Sequence, residues 1–239
     1  MNMKLDVLVF GAHPDDVELA CSGTIMKLIA EGKTVGIVDL TEGEMGTRGT
    51  VTTRREESAN ASNILGIAVR ENLDLGDSSF ELNQASKYKV IKMIRKYRPT
   101  LVLANAIDDR HIDHPKAAQL VKEAFFLSGL RKITTTVNGK SQEAYRPKHL
   151  FHYIQHYHTR PDFVIDITAF HPRKIESILA YRTQFYNPES NEAETPISSK
   201  RFLNFLEARS REMGEIIGVE FGEGFNSHVP LPYDLNNLL

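Results

Sequence analysis

Residues 5–18 constrain this chain more than any other stretch. The apolar run 5–10 has the composition of a buried strand, and residues 17–30 read as a helix. Between them stands Gly11-Ala12-His13-Pro14-Asp15-Asp16-Val17-Glu18. One imidazole and two adjacent carboxylates therefore fall where a strand ends and a helix begins. In an open α/β sheet, that carboxyl edge is where ligands bind. The same order recurs downstream. The apolar run 101–104 precedes Asp109-Arg110-His111-Ile112-Asp113-His114-Pro115. Two His/Asp clusters, each after a strand, point to one divalent metal site.

The first half alternates strand and helix patterns throughout. Residues 33–40 and 68–75 read as further strands. Helices are expected over 54–65, stopped by Gly66, and over 85–97, closed before Pro99. Pro115 suits the first turn of a helix running to 127. Such alternation implies right-handed crossovers and a mainly parallel sheet. The second half is less regular. A hairpin turn is expected at Asn138-Gly139. Strands are expected over 150–157 and 163–166, helices over 172–182 and 199–214, and a loop over 186–196. No internal repeat or composition break divides the chain, so residues 1–239 are read as a single domain.

Composition narrows the function classes. With 239 residues, 41% of them hydrophobic, one substantial core is possible. A net charge of −2 and the absence of a Lys/Arg run argue against a nucleic-acid partner. Cys21 is the only cysteine, which excludes an intrachain disulfide and fits a reducing cytoplasm. No apolar run approaches the roughly 20 residues of a membrane span, and the N-terminus lacks a signal-peptide pattern.

A catalytic divalent site typically has three protein ligands and an open position. His13, Asp16 and His114 supply two imidazoles and a carboxylate, a donor set suited to zinc, with iron(II) as the alternative. Asp15 cannot readily share the ion with its neighbour Asp16, because adjacent side chains diverge. It is instead placed to act as general base and then as acid. His111 could face an oxyanion as a cation, with Asp113 behind it. Arg54 could clamp a carboxylate or sugar hydroxyls of a substrate. The plainer alternative is that Asp15, Asp16 and Glu18 only complement a helix N-terminus.

The residues Ala-His-Pro-Asp-Asp-Val-Glu (12–18) and His-Ile-Asp-His (111–114) resemble the LmbE-like, PIG-L-type zinc deacetylases. Arg54-Arg55-Glu56-Glu57, with Ala61 and Leu65-Gly66, is similar to that family's Arg-x-x-Glu…Ala…Leu-Gly helix, and Thr41-Glu42-Gly43-Glu44 to its second loop. The likeness covers most of residues 5–130. Tyr181-Arg182-Thr183-Gln184-Phe185 and the run 218–225 resemble the bacillithiol-pathway branch of Bacillus-type bacteria. The resemblance implies a Rossmann-like three-layer sandwich and hydrolysis of the N-acetyl group of an N-acetylglucosaminyl compound. In that branch the compound is N-acetylglucosaminyl malate. It also implies zinc on His13, Asp16 and His114, Asp15 as base, and a homo-oligomer, often a hexamer.

Three rivals stand beside this reading: an amidase of the same chemistry for thiol S-conjugates, a noncatalytic metal-binding protein on the same fold, and a phosphohydrolase with Asp15 as nucleophile. His152, His156 and His158 are expected to share one face of a strand, solvated or facing a subunit. His228 is left between the site and the chain's tail. Cys21 is read as a packed helix residue. Ser58 and Ser62 lie in a helix without a nucleophile elbow.

Overall fold

The computed structural model describes residues 3–232. Five parallel strands form the larger part of a seven-stranded sheet: β1 (Val7–Gly11), β2 (Val35–Asp39), β3 (Val69–Asn72), β4 (Leu101–Ala104) and β7 (His149–Tyr153). With β8 (Phe163–Asp166) and β9 (Gly222–Ser227), the order is β3-β2-β1-β4-β7-β9-β8. β9 pairs antiparallel with both neighbours, so it alone runs against the rest. β5 (Thr135–Val137) and β6 (Lys140–Gln142) form a separate hairpin. Its turn residues, Asn138 and Gly139, both take positive φ, as a tight hairpin requires.

Strand alternation makes the three layers. Leu8 and Phe10 of β1 face a core with Val90, Ile91 and Ile94 of α3 (Gln84–Tyr97) and Leu120, Val121 and Ala124 of α4 (Asp113–Ser128). Val7 and Val9 face the opposite side, against Ala20, Cys21 and Ile25 of α1 (Asp16–Ala30). Successive strand residues point to opposite faces, so one strand serves both cores. A third cluster joins Ala61 of α2 (Val51–Leu65), Ile178 of α5 (His171–Leu179), and Phe202 and Leu206 of α6 (Lys200–Ile217). It also contains Tyr181 and Phe185.

This architecture positions the site. β2 and β3 lie to one side of β1, and β4 lies to the other, in parallel register from Val7↔Leu101 to Val9↔Leu103. Chain order therefore reverses between β1 and β4. Both His/Asp clusters leave the sheet at this topological switch point, where a crevice opens beyond the strand ends.

Several expectations need correction. The strand expected over 150–157 ends at Tyr153, so His156 and His158 have left the sheet and share no strand face with His152. An unexpected strand, β9, begins within the run 218–225 and ends at Ser227. Its glycines serve close approach: a Cβ on Gly222 would meet Val164 Cγ1 at 2.7 Å, and one on Gly224 would meet Met213 Sδ at 2.9 Å. α2 begins at Val51, where Thr50 and Thr53 cap each other reciprocally. Arg54 therefore stands inside the first turn. α1 breaks at Cys21, leaving the N–H groups of Gly23 and Thr24 to donate to the Glu223 carboxylate at 3.0 and 2.7 Å. Lys174 neutralises that buried carboxylate at 2.7 Å. No helix among the described residues is long and apolar enough to cross a membrane.

Candidate metal centre and catalytic cleft

Asp15 has φ 124°, ψ −25°, a conformation L-residues rarely adopt. Such backbone costs of order 1–3 kcal/mol and persists where the surroundings enforce it. The strain does not serve a helix cap, because the Asp15 side chain makes no cap hydrogen bond. Its carboxylate instead accepts from Arg54 Nη1 at 3.1 Å, and the same nitrogen donates to the Pro14 carbonyl at 2.6 Å. Burial pushes the Asp15 carboxyl up to about 7, with Arg54 opposing the shift and Asp16 adding to it.

Asp16 turns the other way. Its Oδ2 accepts from the main-chain N–H of His13 and from Asn105 Nδ2, each at 3.0 Å. Its Oδ1 accepts from Gln155 Nε2 at 3.0 Å and lies 2.9 Å from His114 Nε2. His13 Nδ1 stands 3.5 Å from Oδ2. One ring nitrogen from each of His13, His111 and His114 falls within 4.8 Å of the others. Divergence of adjacent side chains, expected for Asp15 and Asp16, is what the geometry displays.

The second nitrogen of each candidate histidine ligand is taken by a carboxylate. His114 Nδ1 bonds Asp109. His13 Nε2 lies 3.1 Å from Asp77 and 3.3 Å from Asp113. Metal-ligating histidines are commonly backed in this way, which fixes ring orientation and raises basicity. Burial disfavours the charged form of His13, but hydrogen bonds to Asp113, Asp16 and Asp77 outweigh it and hold the pKa well above its ordinary value. His114 is likewise lifted to about 9, burial being overcome by Asp16 and Asp109. Asp16, Asp77, Asp109 and Asp113 thus surround the two rings with carboxylates. A divalent cation fits that excess of negative charge and that donor set. His13, Asp77 and Asp113 also lie close enough to hold an ion. That second arrangement uses the opposite nitrogen of the same ring.

Asp113 sits behind His13, and its carboxylate does not reach His111 as expected. Its carboxylate accepts from the Ser78 N–H at 2.8 Å, while its own N–H donates to His111 Nδ1 at 3.3 Å. The His111 proton then belongs on Nε2. Burial, with help from His13 and His114, lowers the His111 pKa. Both observations favour a neutral donor over the expected cation. Glu18 lies beneath the site and pairs with Arg70 at 2.6 Å, while Arg70 grips Asp39 bidentately at 2.7 and 2.9 Å.

A cleft opens over these groups. Asp15, Arg54 and His111 line one part, and Ile154, Phe202, Phe205 and Leu206 form an apolar wall. Sequence reasoning misses Asp77, Asp109, Asn105 and Gln155 as site residues. Each follows a parallel strand, so inspecting polar residues after every strand would find them.

A family model described as PIG-L, GlcNAc-PI de-N-acetylase, matches residues 8–125. The diacetylchitobiose deacetylase of Thermococcus kodakarensis is 30% identical over 190 residues, covering 75% of this chain and 70% of that protein. The chain therefore belongs to the PIG-L family of de-N-acetylases. A probable N-acetyl-alpha-D-glucosaminyl L-malate deacetylase 2 of Bacillus anthracis is 26% identical over 205 residues, 77% of this chain and 84% of that one. Among solved structures, a conserved protein of Thermus thermophilus, TT1542, is 36% identical, with a TM-score of 0.86 over 96% of this chain and 97% of that one.

Proposed function

We propose that this protein is a metal-dependent N-deacetylase for N-acetylglucosaminyl compounds. N-acetylglucosaminyl malate, the substrate of the Bacillus-type bacillithiol branch, is the favoured one. The observation that carries the reading is Asp15: a strained, buried carboxylate that caps nothing and opens on the cleft beside His13, Asp16 and His114. Likeness to the chitobiose and malate deacetylases supports the reaction class.

His13, Asp16 and His114 would hold zinc, or iron(II) in its place. When bound, the ion supplies Lewis acidity, acidifying water and polarising the amide carbonyl. Asp15 takes the proton of the attacking water, held in position by Arg54. His111, with its proton on Nε2, donates to the oxygen on which charge develops. Asp15 then delivers its proton to the departing amine nitrogen, giving acetate and the free amino sugar. Asp113 and Asp77 hold the His13 ring, and Asp109 holds that of His114. Arg54 sits close enough to the cleft to meet the substrate as well. The chain acts as one domain, cytoplasmic and homohexameric.

Acetate release from N-acetylglucosaminyl malate by zinc- and iron-loaded protein tests the reading. A thiol S-conjugate and a phosphate ester are assayed alongside. Release of acetate from the malate glycoside is expected. Amide cleavage of the S-conjugate alone, phosphate release alone, or no turnover would overturn it in favour of the corresponding rival. Light scattering reads the hexamer directly.

A further inference from the structure

The cleft contains a cation that the chemistry above does not use. Arg209 stands on α6, outside the residues 8–125 matched by the family model. It lines the same cleft as Asp15 and His111. Its only side-chain hydrogen bond among the described residues runs from Nη2 to the Tyr157 carbonyl at 3.1 Å. No carboxylate lies within ion-pair distance of it among those residues. The two acids nearest in influence are committed elsewhere. Asp109 is taken by His114 and by the N–H groups of His156 and Tyr157, and Glu212 pairs with His158.

Its setting is apolar. The guanidinium carbon lies 5.8 Å from the centre of the Phe205 ring, and Phe202, Leu206 and Ile154 complete the wall. Burial drags the Arg209 pKa down to about 10, with Asp109 and Glu212 offsetting only part of the shift. The side chain is partly buried and lines the cleft without a counter-ion, so an incoming anion would meet an unpaired guanidinium. The other cleft arginines are placed differently. Arg54 is engaged with Asp15, and Arg110 stands exposed at the rim.

We propose that Arg209 is the residue with which this chain selects an acidic aglycone, pairing with a carboxylate on the group attached to the sugar. The inference rests on the deacetylase reading and deepens it. Residues within the family-matched part carry the bond-breaking chemistry. A residue beyond that part reads the remainder of the substrate. A planar guanidinium suits a carboxylate in two-point contact.

The test compares wild type, Arg209→Gln and Arg209→Lys, all zinc-loaded. Substrates are N-acetylglucosaminyl malate and the uncharged methyl N-acetylglucosaminide. A charge-assisted hydrogen bond is worth roughly 1.5–3 kcal/mol, or about 10- to 150-fold. Arg209→Gln is expected to raise KM for the malate glycoside by that factor, with kcat/KM for the uncharged glycoside and metal content unchanged. Arg209→Lys is expected to recover part of the loss. An equal fall on both glycosides would make Arg209 merely structural, acting through Tyr157, and no fall would remove it; either overturns the proposal. Calorimetric titration with the product, glucosaminyl malate, reads the contact without turnover. Binding that weakens at least tenfold in Arg209→Gln upholds the contact even if no acetate is released, in which case only the deacetylase reading fails. Equal binding by wild type and variant, or none by either, overturns the contact.

Discussion

Arg54 Nη1 bridges the Asp15 carboxylate and the carbonyl of Pro14, at 3.1 and 2.6 Å. A single guanidinium nitrogen thus ties the strained residue to its own loop. The sequence assigns Arg54 to the substrate; its geometry gives it the added task of aiming Asp15. Arg54→Ala should therefore lower kcat as well as raise KM, with metal content retained. Both side chains are buried, so removing one partner should also cost on the order of 3 kcal/mol of stability. Arg54→Lys should keep the charge and recover part of kcat. Kinetics and thermal denaturation check both effects. A change in KM alone would return Arg54 to a purely substrate-binding role.

His13→Ala, Asp16→Ala and His114→Ala should each deplete bound metal. Asp109→Asn removes no ligand but weakens the anchor of the His114 ring. Loss of such a partner typically costs roughly 10- to 100-fold in metal affinity or activity. Competition with a chelator, followed by metal analysis, orders the four variants. Full occupancy in any of the three alanine variants would remove that residue from the ligand set. Asp77→Asn offers a further comparison, because Asp77 belongs to the alternative grouping with His13 and Asp113.

The parallel half of the fold was legible because most of its strands are short apolar runs ended by polar residues; the edge strand β3, Val-Arg-Glu-Asn, is the exception. The chemistry was legible because those polar residues are histidines and aspartates. β9 was not legible. Gly222 and Gly224 carry no side chain to mark a pattern, and their role appears only once α6 packs against them. The false extension of β7 has a related cause. Ile154 is buried like a strand residue, but Gln155 turns inward to bind Asn105 and Asp16, and the turn at His156 and Tyr157 is held by Asp109. Tertiary hydrogen bonds, which local periodicity does not encode, end that strand.

His152 provides a pH-dependent test. It is fully buried, its Nδ1 donates to the Asn105 carbonyl at 2.7 Å, and its Nε2 lies 3.0 Å from His228 Nε2. Burial pushes its pKa down to about 4, with the Asn105 carbonyl opposing and His228 adding to the shift. The unfolded chain therefore binds the extra proton between about pH 6.5 and 4, and the folded chain does not. The neutral ring contributes its full stability above that window, and the contribution is lost as pH falls through it. The full effect is on the order of 3 kcal/mol. His152→Gln keeps a donor for Asn105 but cannot titrate. The stability difference between wild type and variant, followed by urea denaturation, should shift against wild type from pH 7 to pH 4. A difference that stays constant with pH would show that His152 is not held neutral.

Asp15 separates catalysis from mere metal binding. The residue neighbours Asp16 yet directs its carboxylate to Arg54 and the cleft. Asp15→Asn is nearly isosteric and can still accept from Arg54. Asparagine also tolerates positive φ better than most residues, so the strained turn should survive. The substitution does remove the group that takes up a proton. Metal occupancy is therefore expected to remain at the wild-type level while acetate release falls. General acid–base assistance is typically worth about 10²–10⁴-fold, and a loss in that range is expected per bound metal. A ligand role for Asp15 would instead lower metal content and activity together. Equal turnover per metal in wild type and variant would mean that another group carries the proton.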